Sequence, residues 1–173
     1  MSKIEPIILN QIKNISNDIQ INSSYIDEIV DEITEPFMKD LDEYVKKIQT
    51  KLQDKKNPPT DSELDDYCLN FSTLIYFAGE GAERIGVRDG VAKTTYKEAF
   101  NTYRLNCKKG TAQDKTNTAE LQSLKESVVS MAYTSAYKTA KAKIENAMEL
   151  LASIKKVISR RQDEMKLSRI SNA

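Results

Sequence analysis

The chain has 173 residues, enough for one domain with a modest core, and it contains no run of about 18 apolar residues that could cross a membrane. It has no histidine, which excludes Ser-His-Asp and Cys-His catalysis, and two distant cysteines cannot supply a zinc site, so we expect no enzyme, metal or cofactor. A charged fraction of 30%, with only five glycines and four prolines, is typical of an all-α protein with long solvated helices.

Charge is divided unevenly along the chain. Residues 1–66 contain eight lysines and 15 acidic residues, a net charge of −7, whereas residues 67–173 carry +7 and all six arginines. This division predicts an acidic N-terminal helical segment (1–56) and a helical core with a basic face (60–173). It suggests a polyanion-binding part joined to an acidic one. The two halves could equally attract each other within or between subunits.

Apolar residues at positions 4, 7, 8, 12, 15 and 19 predict a short amphipathic helix over residues 3–21, with a break at 22–24. A second, acidic helix is predicted from Tyr25 to Leu52. Pro36 should kink or divide it, with Thr34 as a possible cap for the second part. The N-terminus has no basic region, apolar core or cleavage site of a signal peptide, so we expect a cytoplasmic protein.

The segment KKNPP at residues 55–59 is the clearest predicted linker, because paired prolines cannot continue a helix. Thr60 and Glu63 then match the capping-box pattern at the start of a helix. Its apolar face is predicted to contain Leu64, Tyr67, Cys68, Phe71, Leu74, Ile75 and Ala78. Cys68 and Cys107 occupy apolar helical positions, which predicts buried thiols.

Four glycines follow at positions 79, 81, 86 and 90. They are compatible with loops, since each glycine inside a helix costs roughly 1 kcal/mol relative to alanine. However, Ala78, Ala82, Gly86 and Gly90 recur every four residues. On a helix this spacing makes a smooth row that another backbone can approach. The sequence leaves both possibilities open.

A helix is predicted from Val91 to Lys108, with two distinct faces. At 100° per residue from Arg84, cations lie between about 180° and 240°, and apolar and aromatic residues between about 60° and 160°. We call Lys93, Lys97, Arg104 and Lys108 the cationic stripe; the other face contains Ile85, Ala92, Tyr96, Ala99, Phe100, Tyr103 and Cys107. Cations beside aromatic rings are typical of proteins that bind single strands without regard to sequence. Alternatively, the rings belong to the core and the lysines only solvate the helix.

Residues proposed to contact nucleic acid are Arg84, Arg88, Lys93, Lys97, Arg104, Lys108, Lys109 and Lys115. Lys108, Lys109 and Gly110 resemble a helix end, in which glycine takes the left-handed conformation. After a turn capped by Asn117 or Thr118, no glycine or proline interrupts the chain, so one helix of about fifty residues is expected from 118 to 173. Its apolar seam, a candidate oligomerisation surface, is Leu121, Leu124, Val128, Ala132, Ala136, Ala140, Ile144, Ala147, Leu151, Ile154 and Ile158. These features together predict an elongated helical bundle that forms a homo-oligomer.

The order of these features resembles the phage recombination mediators of the UvsY type. The resemblance covers roughly residues 71–170: the basic aromatic segment KEAFNTYRLNCKKG, a short polar turn, and the long C-terminal helix. It implies an all-helical, ring-forming protein that binds single-stranded DNA and loads a recombinase onto strands covered by single-strand-binding protein. The family's basic stretch would correspond to Arg104, Lys108 and Lys109, and its self-assembly helix to the seam. The first sixty residues and the four glycines have no counterpart in that pattern.

Three hypotheses follow from the sequence. The first is a non-enzymatic, single-stranded DNA-binding recombination mediator that assists recombinase loading. The second is a phage structural, assembly or adaptor protein without nucleic-acid binding, in which the oppositely charged halves meet across subunits. The third is a small regulator whose acidic helix, Ile26 to Leu52, mimics DNA for a basic partner.

Overall fold

The structure, a computed structural model, describes the backbone of residues 5–171 and the side chains of residues 24–167 and 170. Four helices make up nearly all of this region, and no strand occurs in it, which confirms the predicted all-α fold. The helices are α1 (Glu5–Gln53), α2 (Asp61–Asn106), α3 (Ala112–Gln122) and α4 (Leu124–Ser171). None of these four helices has both the length and the hydropathy needed to cross a bilayer.

The three long helices lie side by side, and polar contacts define their directions. Asp61, at the start of α2, pairs with Arg161 near the end of α4, with 3.0 Å between Oδ1 and Nη1. Further along α2, Asp89 accepts a hydrogen bond of 2.6 Å from Thr134, which lies early in α4. The two helices are therefore antiparallel. The short connection between α1 and α2 reverses the chain in the same way, so α1 runs parallel to α4.

One core is shared by α1, α2 and α4. Its largest fully buried apolar side chains are Met38, Leu41, Ile48, Leu64, Phe71, Ile85 and Ile154. Each such side chain contributes about 1.5–3 kcal/mol when it leaves water. From Ile26 to Leu52, α1 belongs to this core, so the acidic segment (1–56) packs directly on the helices of residues 60–173.

The predicted seam of the C-terminal helix faces this core. Its buried members are Ala132, Ala136, Ala140, Ala147 and Ile154, and its half-buried members are Val128, Ile144, Leu151 and Ile158. Most of the seam therefore packs within its own chain. Leu121 and Leu124 are the exposed members, so they are the part of the seam most accessible to another copy.

The predicted break at residues 22–24 and the predicted division of the helix at Pro36 are wrong, whereas the alternative of a kink at Pro36 stays a prediction. The backbone is helical through residues 22–24 and through Pro36, so Thr34 caps no second helix. Instead, Thr34 is buried, and its hydroxyl donates a hydrogen bond to the carbonyl oxygen of Asp31. Proline inside a helix costs about 3 kcal/mol. Burial of Met38 and Leu41 just beyond it outweighs that local cost. The apolar stripe predicted for residues 3–21 lies outside the described side chains.

The connection from α1 to α2 forms as predicted. The carboxylate of Asp54 accepts hydrogen bonds from the backbone N–H groups of Lys56 and Asn57, which holds the turn. Thr60 then caps α2: its Oγ1 accepts from the N–H of Glu63, whose carboxylate accepts from the N–H of Thr60. Both halves of the predicted capping box are therefore present.

The glycine-rich segment is helical and makes close contacts with neighbouring helices. A Cβ added to Gly81 would lie 2.6 Å from Cβ of Phe37 on α1, and one added to Gly86 would lie 2.9 Å from the ring of Tyr137 on α4. Ala78 and Ala82 of the predicted row are buried, but Gly90 is exposed. The row is thus a packing surface as far as Gly86.

The end of α2 and the start of the next helix differ from the prediction. The helix ends at Asn106 and not at Lys108, and Cys107 is its C-cap. Gly110 has a φ of 102°, the left-handed conformation expected of it. α3 begins after Thr111, whose side chain forms a capping box with Asp114, so the predicted cap at 117 or 118 is wrong.

The expected single C-terminal helix is divided at Ser123, between α3 and α4. The Ser123 side chain is buried, and its hydroxyl donates a 2.7 Å hydrogen bond to the carbonyl oxygen of Ala119. Such a local bond lets serine compete with regular helical geometry.

Candidate nucleic-acid interface

Six of the eighteen basic residues in the second half of the chain lie at one end of the bundle, and the other twelve lie earlier on α2 or along α4. This basic end consists of α2 from Lys93 onward, the turn at residues 107–111, and α3. On α2, Lys97 and Arg104 are exposed, and in the turn Lys108 and Lys109 are exposed as well. Lys108 therefore belongs to the turn and not to the helical part of the cationic stripe.

Most of these cations have no acidic partner. Within the described part of the chain, no carboxylate pairs with Lys97, Arg104, Lys108, Lys109 or Lys115. Lys115 is half-buried at the start of α3. Cations that are not neutralised internally attract anions, since their field is not cancelled nearby. The basic end therefore presents five cations without a direct ion-pair partner, together with three exposed carboxylates, those of Glu98, Asp114 and Glu120.

Lys93 differs from the rest of the cationic stripe. Its Nζ donates a 2.7 Å hydrogen bond to Oδ2 of Asp89, whose side chain is buried, while Thr134 donates to Oδ1. Burial opposes the charged form of Asp89, but the hydrogen bonds from Lys93 and Thr134 outweigh it and lower the pKa of this carboxyl. Lys93 thus takes part in the contact between α2 and α4 through Asp89.

The aromatic residues beside the stripe are half-buried. They are Tyr96, Phe100 and Tyr103, and their apolar neighbours Ala99 and Cys107 are half-buried as well. The ring centroids of Tyr96 and Phe100 are 6.3 Å apart. The rings are neither fully buried nor fully exposed, which is intermediate between the two alternatives left by the sequence. The predicted burial of the cysteines is likewise partial, and burial raises the pKa of the Cys68 thiol.

The two arginines proposed for the same interface lie apart from the stripe. Arg84 borders a shallow depression that Glu80 and Glu83 also line. Arg88 points to another side of α2, into a groove between α2 and α4. The structure therefore does not bring all eight proposed residues together. It groups Lys93, Lys97, Arg104, Lys108, Lys109 and Lys115 along α2, the turn and α3.

We call the site beside Arg88 the valine groove, a cavity of about 450 Å³. Its described lining residues are Val87, Arg88, Val91, Ala92, Thr95, Lys125, Glu126, Val129 and Tyr133. Val87 and Val91 are 69% and 61% exposed, although both are apolar. Sequence reasoning missed this groove, since only the pairing of α2 with α4 brings its walls together. The sequence contained one indication of the groove, because Val87 and Val91 are apolar residues one turn apart on the polar side of α2.

The acidic residues of α1 form a separate surface. This acidic face consists of exposed Asp27, Glu28, Asp31, Glu32, Glu35, Asp40 and Glu43. Glu35 lies 3.9 Å from the exposed Lys39 on the same helix, which is a weak pair. Asp42, beside this face, pairs with Lys143 of α4 at 2.6 Å. In the described part of the chain, few ion pairs therefore join the acidic first half to the basic second half.

Among the described side chains, those of residues 24–167 and 170, no group of three His, Cys, Asp or Glu is placed to hold a metal ion. No protein-family model, curated protein or solved structure matches this chain.

Proposed function

We propose that this protein binds single-stranded DNA through its basic end and acts as a recombination mediator. The observation that supports DNA binding is the set of uncompensated cations on α2, the turn and α3, beside half-buried aromatic rings. Double-stranded or single-stranded polyanions release counterions when cations of this kind contact phosphates. Aromatic rings beside the cations favour single strands, because unpaired bases are free to stack on the ring faces.

The role as a mediator depends on the resemblance of layout to the UvsY-type proteins. In this proposal several copies align their basic ends along one strand, and the bound strand is presented to a recombinase in place of single-strand-binding protein. The cations on one copy span only a short length of strand, so assembly of copies adds avidity without new kinds of contact. Measurement of the molecular mass in solution, with and without single-stranded DNA, tests whether copies assemble on a strand.

Fluorescence anisotropy with labelled oligo-dT tests DNA binding. Binding should weaken steeply with added salt, because each phosphate contact contributes about 0.7 to the slope of log affinity against log salt concentration. The variant Lys97→Glu, Arg104→Glu, Lys108→Glu should lose at least tenfold in affinity and about two units of that slope. All three side chains are exposed, so the helix content should not change.

The matched control is Lys46→Glu, Lys51→Glu, Lys55→Glu. It changes the net charge equally, but at exposed positions toward the other end of the bundle. It should retain affinity within about threefold, since screened charges more than about 10 Å away contribute little. Absence of binding at low salt, or binding that salt does not weaken, would contradict the proposal.

A second candidate is an assembly protein in which the acidic face of one copy docks on the basic end of another. It is favoured by one observation: both surfaces are exposed and carry few internal ion pairs. This candidate predicts salt-sensitive self-association and no affinity for nucleic acid.

A further inference from the structure

The valine groove contains a hydrogen-bond acceptor without a donor. Oε2 of Glu126 is buried and accepts no hydrogen bond from any described residue. A buried carboxylate oxygen without a partner is costly, and most such atoms in proteins are paired. Because Oε2 has almost no accessible surface, a ligand in the groove would relieve that cost by bringing a donor to the carboxylate as the Glu126 side chain turns toward it.

The rest of the groove has a different character. Its walls expose Val87, Val91 and Val129, the last by 43%, and its volume of about 450 Å³ lies in the range of small-ligand sites. Arg88 and Lys125 also line it, and neither makes an ion pair in the described part of the chain. The groove therefore combines an apolar slot, a buried acceptor and two free cations.

We propose that the valine groove binds one unstacked base of the single strand and selects a base that carries an exocyclic amino group. This inference rests on the proposed DNA-binding function. The valines cover the faces of the base, the amino group donates to Glu126, and the flanking phosphates lie near Arg88 and Lys125. Carboxylates accept from the amino group of cytosine in the same way in other complexes with DNA.

Thymine fits this groove poorly. It has no amino group, and its single ring N–H lies between two carbonyl oxygens that would face the carboxylate with like partial charge. The proposed site therefore discriminates between two pyrimidines of similar size. Because oligo-dC and oligo-dT of equal length carry the same phosphate charge, their affinity ratio isolates the contribution of the base.

The test compares these two oligonucleotides by anisotropy at slightly alkaline pH, where cytosine is neutral. The wild-type protein should bind oligo-dC about tenfold more tightly than oligo-dT. Glu126→Gln should bring the ratio close to one, because an amide offers both a donor and an acceptor. The control Glu120→Gln, an exposed position on α3, should keep the wild-type ratio.

A second variant tests the apolar walls. Val91→Ser changes an exposed side chain, so the fold should be retained, and it should reduce affinity for oligo-dC more than for oligo-dT. Equal wild-type affinities, or a ratio that survives Glu126→Gln, would overturn the base site while leaving salt-dependent binding of oligo-dT in place. Absence of binding to either oligonucleotide would overturn the proposed function and this inference with it.

Discussion

Asp89 is the clearest case of a single residue that links α2 to α4. Its side chain is buried, with Lys93 on its own helix and Thr134 on α4 as hydrogen-bond donors. A buried carboxylate with two donors stabilises its surroundings only while it is charged. Lys93 therefore stabilises the contact between α2 and α4, whereas the other cations of the stripe remain available to a ligand.

Asp89→Asn should destabilise the fold by about 1–2 kcal/mol at pH 7, because the hydrogen bonds to a charged acceptor become weaker. The pKa of Asp89 is lowered in the folded state, so its contribution is fully present above the unfolded value of about 3.9. The contribution is lost as the pH falls through the folded pKa. Urea unfolding, followed by circular dichroism between pH 7 and pH 3, measures this difference.

The exposed Asp65→Asn on the same helix serves as the control, with little change expected at any pH. An energy difference between wild type and Asp89→Asn that is the same at pH 3 and pH 7 would show that the charge of Asp89 does not stabilise the contact.

At the level of elements, the four glycines of α2 separate into two classes. Gly81 and Gly86 face Phe37 and Tyr137 at distances where a Cβ has no room. Gly79 and Gly90 have no atoms within 4 Å of an added Cβ. The first pair therefore sets how closely α2 approaches its neighbours, whereas the second pair only weakens the helix.

Alanine substitutions should have opposite effects in the two classes. Gly79→Ala and Gly90→Ala should each raise the free energy of unfolding by up to about 1 kcal/mol, because alanine favours the helix. Gly81→Ala should lower it by about 1–3 kcal/mol, since overpacking shifts the α1 backbone at Phe37. Gly86→Ala should lower it less, because the Tyr137 ring can move aside. Thermal unfolding of the four variants measures all of these effects, and a stabilising Gly81→Ala would contradict the close contact.

The helices themselves were largely predictable from the sequence, but their ends were not. Periodicity and the Thr60 capping box correctly gave α2 its start and its buried face. A division expected at Pro36 does not occur, whereas an unexpected one occurs at Ser123. At Pro36 tertiary burial overrode a local helix breaker, and at Ser123 a buried hydroxyl ended a helix without glycine or proline. Both outcomes depend on contacts between helices, which local rules do not include.

The candidate site was predictable only where it lies on one element. The cationic stripe could be placed from the 100° spacing alone, as far as Arg104. Arg84 and Arg88 were grouped with it by sequence proximity, yet they face other surfaces. The valine groove requires α2 and α4 together, so nothing in the spacing along either helix identifies it.

For the whole molecule, the separation of charge is the dominant feature. The acidic face of α1 and the basic end of α2 and α3 carry opposite charges, yet the described ion pairs between α1 and the other helices reduce to Asp42 with Lys143. Both surfaces are left with unscreened fields that a partner of opposite sign would neutralise. Single-stranded DNA suits the basic end, and a second copy suits both surfaces at once.

Charge-reversal variants can decide whether copies associate through these surfaces. One variant reverses the acidic face (Glu32→Lys, Glu35→Lys, Asp40→Lys), and the other reverses the basic end (Lys97→Glu, Arg104→Glu, Lys108→Glu). If copies dock by charge, each variant alone should sediment as a smaller species than wild type at low salt, because like charges then face each other. An equal mixture of the two variants should associate again, as should one chain that carries all six changes.

Wild-type association should also weaken as salt shortens the Debye length from about 30 Å to 8 Å. A wild-type protein that stays monomeric at low salt would contradict the assembly candidate, and association unaffected by either reversal would assign the contact to apolar surfaces such as Leu121 and Leu124.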